Sequence, residues 1–260
     1  MRFYFAMKIN PTNRNLSFGS TERRYIAKDG EEYGCNSWLF REDMDWEKLA
    51  KYQVKHFKDK DKVNTVMFAA SDGSEAYTDI ISLHENVEDK SQVKKFFPIQ
   101  AYDFDEEIVK AANSGYFNSN VNERIMLQIN AEDYETYFDL TKTDRQLNIP
   151  NECSISFLKH QNKTIKAKEI LTQNVKFNHG DMFKKIKELN DASNTMLFCR
   201  NILGYFENNK IEEFIEIAQN KLKSGSLFSI GDHDSVLFNI KECMENHGFV
   251  EIFKNLFKRV

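Results

Sequence analysis

Residues 194–214 read NTMLFCRNILGYFENNKIEEF. The apolar run 196–199 stops abruptly at Arg200-Asn201, a Tyr205-Phe206 pair follows, and then a helix-like segment. A strand covered on both faces of a sheet reads as an unbroken apolar run. In open α/β sheets, ligands sit beyond the carboxyl ends of such strands. A charge, an amide and an aromatic ring at that position therefore read as pocket lining.

Working outward, strands alternate with helical stretches. Apolar runs at 63–70, 96–102, 175–178, 196–199 and 227–230 are predicted strands. Helical spacing covers 43–58, where Trp46, Leu49, Tyr52 and Phe57 recur, and also about 75–85 and 207–223, the last stopping at Gly225. Residues 101–117, AYDFDEEIVKAANSGYF, carry an expected N-cap at Asp105 and a stop at Gly115. Residues 117–172 break the rhythm, and 154–171 are expected to form a small antiparallel hairpin with Asn162 near its turn. A further helix ends near Gly248, and 249–260 reads as a terminal antiparallel pair. Residues 1–34 are polar and irregular, with turn signals at Asn10-Pro11 and Asp29-Gly30. The alternation predicts an α/β fold with a doubly wound sheet, the middle region being an insertion.

Bulk properties bound the function. The chain has 260 residues, 41% hydrophobic and 29% charged, enough for a sizeable core. A net charge of −4 with no basic block argues against nucleic acid. Cys35, Cys153, Cys199 and Cys243 are widely spaced, so they read as free thiols, not a disulfide set or a metal site. The start is too short an apolar run for a signal peptide, and no segment approaches membrane-spanning length, so a cytoplasmic protein is expected. It is also expected to be a monomer.

Four strand ends carry polar or small residues. After the first come Ala69, Ala70, Ser71 and Gly73, where a ligand can approach the backbone or the chain simply turns tightly into a helix. After the second comes Asp103, which suits the two hydroxyls of a ribose or caps a helical turn. His179-Gly180-Asp181 and Cys199-Arg200-Asn201 close the third and fourth. Neither GxGxxG nor GxxxxGK[ST] is present, so a pyrophosphate would be poorly held. A nucleoside without phosphate fits better, and S-adenosylmethionine is the common one. His179 and His233 have no partner at metal spacing, so no metal is expected, and both read as pocket-wall or solvated residues.

Five blocks in order, SWLFRED (37–43), FAASDGSEAYT (68–78), IQAYDFDEEIVKAANSGYF (99–117), VKFNHGDM (175–182) and LFCRNILGYF (197–206), resemble the CheR-type chemotaxis-receptor glutamate methyltransferases. The resemblance runs from about residue 34 and implies a class I methyltransferase sheet at 35–260. A small antiparallel β-subdomain would be inserted at about 135–172, and 1–34 would be an N-terminal extension in place of the family's helical domain. Carried over by position, the cofactor-binding residues are Cys35, Ser37, Arg41, Ala69, Glu75, Asp103, Asp181, Met182, Arg200 and Asn201. Arg41 and Tyr205 would be catalytic, and Ser74, Ala76, Asp181 and Gly204 depart from the family pattern, Gly204 being expected to widen the site. The implied reaction is methyl transfer to a protein glutamate, as in chemoreceptors. A small-molecule or other protein acceptor, and a cofactor-binding module without catalysis, are the alternatives.

Overall fold

A computed structural model describes residues 24–26, 32–34, 37, 39–119, 135–141, 163–189, 193–235 and 239–260. In chain order the elements are β1 (Arg24–Ile26), β2 (Glu32–Gly34), α1 (Trp46–His56), β3 (Asn64–Phe68), α2 (Ser74–Asn86) and a single turn, α3 (Lys90–Val93). β4 (Ile99–Asp103), α4 (Glu106–Ser114), β5 (Tyr116–Ser119), β6 (Phe138–Thr141), β7 (Lys163–Ala167) and α5 (Glu169–Thr172) follow. The chain continues through β8 (Val175–His179), α6 (Met182–Glu188), β9 (Thr195–Cys199), α7 (Asn208–Lys221), β10 (Leu227–Ser229), α8 (Ile240–Asn246), β11 (Phe249–Phe253) and β12 (Leu256–Arg259).

Seven strands form the main sheet in the order β11-β12-β10-β9-β3-β4-β8. Every pairing from β10 to β8 is parallel, and β12 alone runs against its neighbours. The chain starts at β3, winds outward through β4 to β8, and crosses back to β9 on the other side of β3. That reversal opens a crevice beyond the carboxyl ends of β3 and β9. This is the sheet that the resemblance to class I methyltransferases implies.

The period of two along each strand divides the core. Met67 of β3 and Met196 and Phe198 of β9 pack with α1, α2 and α4 on one face. Val66, Phe68, Leu197 and Cys199 pack with α6, α7 and α8 on the other. All five residues of β9 are buried, as its apolar sequence requires.

Asp105 caps α4 by accepting from the Glu107 and Ile108 amides, and Gly115 ends it at φ 68°. The middle region differs from the expected hairpin. β5, β7 and β6 form an antiparallel sheet in that order, so it draws in 116–119 as well. Residues 169–172 turn into α5 instead of continuing as a strand, and Asn162 lies outside the described residues. Near the start, β1 pairs antiparallel with β2, so part of the stretch read as irregular is strand, while Asp29-Gly30 lies outside the described residues. Asn10-Pro11 lies outside the described residues.

Candidate functional site

The turn after β3 is built under backbone constraint. Ala69 and Ser71 sit at φ 54° and 50°, left-handed values that cost a non-glycine residue on the order of 1 kcal/mol each. Gly73 sits at φ 89°, and a Cβ there would lie 2.5 Å from the Phe177 ring. The glycine is therefore required by the φ angle and by β8 packing, whatever approaches from the crevice. Asp103 holds this turn: its Oδ2 accepts from the Ser71 amide at 2.8 Å, and its Oδ1 from the Asp105 amide at 3.0 Å. Each oxygen keeps a lone pair for a further donor. Burial raises its pKa, against the pull of those amides.

Beyond β9 the chain makes a second left-handed step, at Asn201 (φ 58°). The Arg200 guanidinium just before it is fully enclosed. It pairs with Asp43 at 2.5 Å, and its Nη1 donates to Ser229 Oγ and the Ile230 carbonyl at 3.3 and 3.1 Å. Its Nε stands 3.1 Å from Glu75 Oε1, although the N–H is not aligned for a hydrogen bond. Trp46 lies under it at 5.0 Å. Burial raises the Glu75 pKa, and Arg200 and Arg41 oppose that rise.

Asp43 joins the segments. Besides Arg200 it accepts from Asn201 Nδ2 at 3.0 Å and the Asp232 amide at 3.2 Å, and its carbonyl accepts from Asn255 Nδ2 at 3.0 Å. Arg41, two residues earlier, has its Nε 3.7 Å from Asp43 Oδ2 and its side chain mostly covered. Asp234 is a second hub: its carboxylate accepts amides from Asn201 and Gly231, each at 2.7 Å, and from Gly204 at 3.3 Å. Asn201 Oδ1 in turn accepts the His233 amide at 3.1 Å. The turns after β9 and β10 are thus locked together. Gly231 makes room for the lock, since a Cβ there would meet the Asn201 amide group at 2.3 Å.

Tyr205 is 38% exposed and lies 4.8 Å from the His233 ring, centroid to centroid. Gly204 does not widen the site beside it: a Cβ would stand 2.7 Å from the His233 carbonyl, so that main chain fills the space. Asp181 caps α6 through the Lys184 amide at 2.9 Å, and Met182 is buried behind it. Ser37 is partly covered. Cys35 lies outside the described residues. His179 is tied to the Phe104 carbonyl at 2.9 Å.

Glu75, Arg200, Asn201 and Arg41 thus gather around one cluster, with Tyr205 across its edge, while Asp103 and Ala69 share the adjoining turn and Asp181 and Met182 stand at the next strand end. Sequence reasoning passed over Asp43 and Asp234, the two acids that organise the cluster. A signal existed for each: Asp43 stands two residues past Arg41, and Asp234 follows the end of a buried run at Ile230-Gly231. Four carboxyl groups, Asp43, Glu75, Asp103 and Asp234, surround two guanidiniums, Arg41 and Arg200, and burial raises the pKa of Glu75, Asp103 and Asp234.

Comparison with known proteins follows this chemistry. The family model described as CheR methyltransferase, SAM binding domain, matches residues 36–147 and 139–250. A search of curated proteins found no match. Among solved structures, the chain is similar to a TehB-like SAM-dependent methyltransferase from Corynebacterium glutamicum at 9% identity and TM-score 0.37, covering 82% of this chain and 91% of that one. It is also similar to an O-methyltransferase family protein from Burkholderia thailandensis, at 11% identity and TM-score 0.40, covering 82% and 55%. A third is the magnesium protoporphyrin IX methyltransferase of Synechocystis with bound SAM, at 9% identity and TM-score 0.34, covering 82% and 77%. The family model spans most of the chain, and with it comes the cofactor: the protein belongs to the CheR methyltransferase family and is an S-adenosylmethionine-dependent methyltransferase.

Proposed function

We propose that the methyl group goes to a carboxylate, a protein glutamate of the chemoreceptor kind, in a single methyltransferase domain at 35–260. One observation carries the reading. The Arg41–Asp43 segment is tied by Asp43 to the turns after β9 and β10, which keeps the Arg41 guanidinium at 3.7 Å from Asp43, near enough to His233 for its charge to be felt there. Asp103 would accept from the ribose hydroxyls, Asp181 and Met182 would meet the adenine, and Ala69, Glu75, Arg200 and Asn201 would shape the floor. Cys35 and Ser37 would close the cofactor from the N-terminal side.

The sulfonium supplies an already activated methyl group. A glutamate has a reference pKa of about 4.3, so it arrives ionised and needs no base. What it needs is alignment within about 3–3.5 Å of the methyl carbon. The planar fork of Arg41 is suited to hold it, and the Tyr205 hydroxyl to orient it.

The experiment is methyl incorporation from labelled cofactor into a glutamate-bearing receptor peptide. The label should leave in mild base as methanol, because carboxyl esters hydrolyse. Arg41→Ala should lower turnover by about 10²–10³-fold, and Tyr205→Phe should lower turnover more than cofactor affinity. A label on the peptide that resists base would refute the carboxylate assignment.

Among the described residues no helix is long and apolar enough to cross a membrane, which is compatible with the proposed cytoplasmic location. A monomer is proposed with it.

A further inference from the structure

His233 has no part in the carboxylate reaction, yet the fold holds it with care. Its amide is fixed by Asn201 Oδ1, its carbonyl fills the seat left by Gly204, and its neighbour Asp234 clasps three amides of the surrounding turns. Its ring lies against Tyr205. Neither ring nitrogen has a hydrogen-bond partner among the described residues, and the side chain is only half-buried. The charged and titratable groups facing it are Asp234 on its own turn, Arg41 from the segment before α1 and Tyr205 from the turn after β9. Burial and Arg41 lower its pKa from the ordinary histidine value, against Asp234, so the ring is neutral at pH 7 and able to take a proton.

A neutral imidazole against the Tyr205 ring is idle with an ionised carboxylate. It serves an acceptor that arrives carrying a proton. Arg41 selects among such acceptors: a nearby guanidinium disfavours an ammonium and favours an oxyanion as it forms. The exposed Tyr205 ring offers an aromatic wall. We propose that His233 is a general base that lets this site methylate a phenolic hydroxyl. As the phenol oxygen attacks the methyl carbon, an O–C bond forms and the S–C bond breaks with its electron pair left on sulfur. The hydroxyl proton passes to a ring nitrogen of His233 and later to water. The products are an aryl methyl ether and S-adenosylhomocysteine. This inference rests on the family's methyl-transfer activity and stands apart from the glutamate assignment.

The test uses the full chain, methyl-labelled S-adenosylmethionine and two probes, phenol and 4-nitrophenol, over about pH 5 to 9. With phenol, base-stable labelled anisole should form, its rate rising with pH through a midpoint below the ordinary histidine value. His233→Asn should lower that rate by about 10²–10³-fold, with S-adenosylhomocysteine affinity by calorimetry unchanged. With 4-nitrophenol above its own pKa the same variant should lose less than about tenfold, because that probe arrives ionised and needs no base. Equal losses with both probes would make His233 structural and overturn the proposal. No ether from either probe, while S-adenosylhomocysteine still binds, would overturn it and leave the cofactor assignment standing. No binding of S-adenosylhomocysteine would overturn both.

Discussion

Removing the Asp43 carboxylate tests how the cluster around Arg200 is held together. Asp43 and Arg200 are both enclosed, their side chains 7% and 0% exposed. Breaking a buried ion pair from one side costs about 3–5 kcal/mol, because the remaining charge loses its partner. Glu75 still stands beside Arg200 Nε at 3.1 Å and shares the charge, which places the expected loss at the lower end. The Asn201 amide and the Asp232 N–H lose acceptors too, each a net cost of about 1 kcal/mol, softened where water can enter. Asp43→Ala should therefore destabilise the fold by about 3–4 kcal/mol, or lower Tm by about 6–16 °C in a domain of this size. Asp43→Asn keeps an accepting oxygen and should lose about half as much. The assay is urea denaturation followed by circular dichroism, with S-adenosylhomocysteine titration in parallel. Affinity should fall at least about tenfold in Asp43→Ala as the turns after β9 and β10 uncouple from the Arg41 segment. An alanine variant within about 0.5 kcal/mol of wild type would refute the reasoning, since it would mean that Arg200 does not depend on Asp43.

Asp79 is fully buried in α2, bonded through Oδ1 to Gln53 Nε2 at 3.0 Å, and burial pushes its pKa to about 7. The folded chain therefore binds a proton more tightly than the unfolded chain. Stability should fall as pH rises from about 4 to 7 and level off above, and Asp79→Asn should flatten that slope in pH-dependent urea melts. Among the described residues Asp79 Oδ2 and Gln53 Oε1 both lack partners, so the asparagine amide should also stabilise the fold at pH 8, by about 1 kcal/mol or more. Gly204→Ala should cost about 1–3 kcal/mol, because its Cβ meets the His233 main chain, and an alanine variant with unchanged denaturation would mean that the turn yields freely. Asp103→Ala frees the Ser71 and Asp105 amides and should weaken S-adenosylhomocysteine binding at least about tenfold by calorimetry; unchanged affinity would refute the ribose assignment.

What the sequence reveals here follows burial. β9 and the buried parts of β3 and β4 are apolar runs, so their positions can be read directly, and α4 carries its cap and stop as single residues. α6 is only seven residues long, with Met182 and Ile186 as its buried positions, too few to establish a helical period. Arg200, Asn201 and Tyr205 stand out in the sequence because polar and aromatic groups after an apolar run are conspicuous. Asp43 and Asp234 were not, because an acid in a polar turn looks solvated until the chain brings Arg200 or three backbone amides to it. Gly204 was misread for the same reason: the neighbour that fills its space lies 29 residues further along the chain, and no local pattern announces it.

The bonds of Asp43 span 157, 158, 189 and 212 residues of chain. During synthesis, Asp43 is made 157 residues before Arg200 and 212 residues before Asn255, the last of these partners. β12, which fits between β10 and β11, comes later still. The cluster around Asp43 is therefore completed late. Closing loops of that length before any contact rewards them is slow. Stopping the chain after Glu245 would leave Arg200, Asn201 and Asp232 to meet Asp43, but would remove Asn255 and the β11–β12 pair that flanks β10.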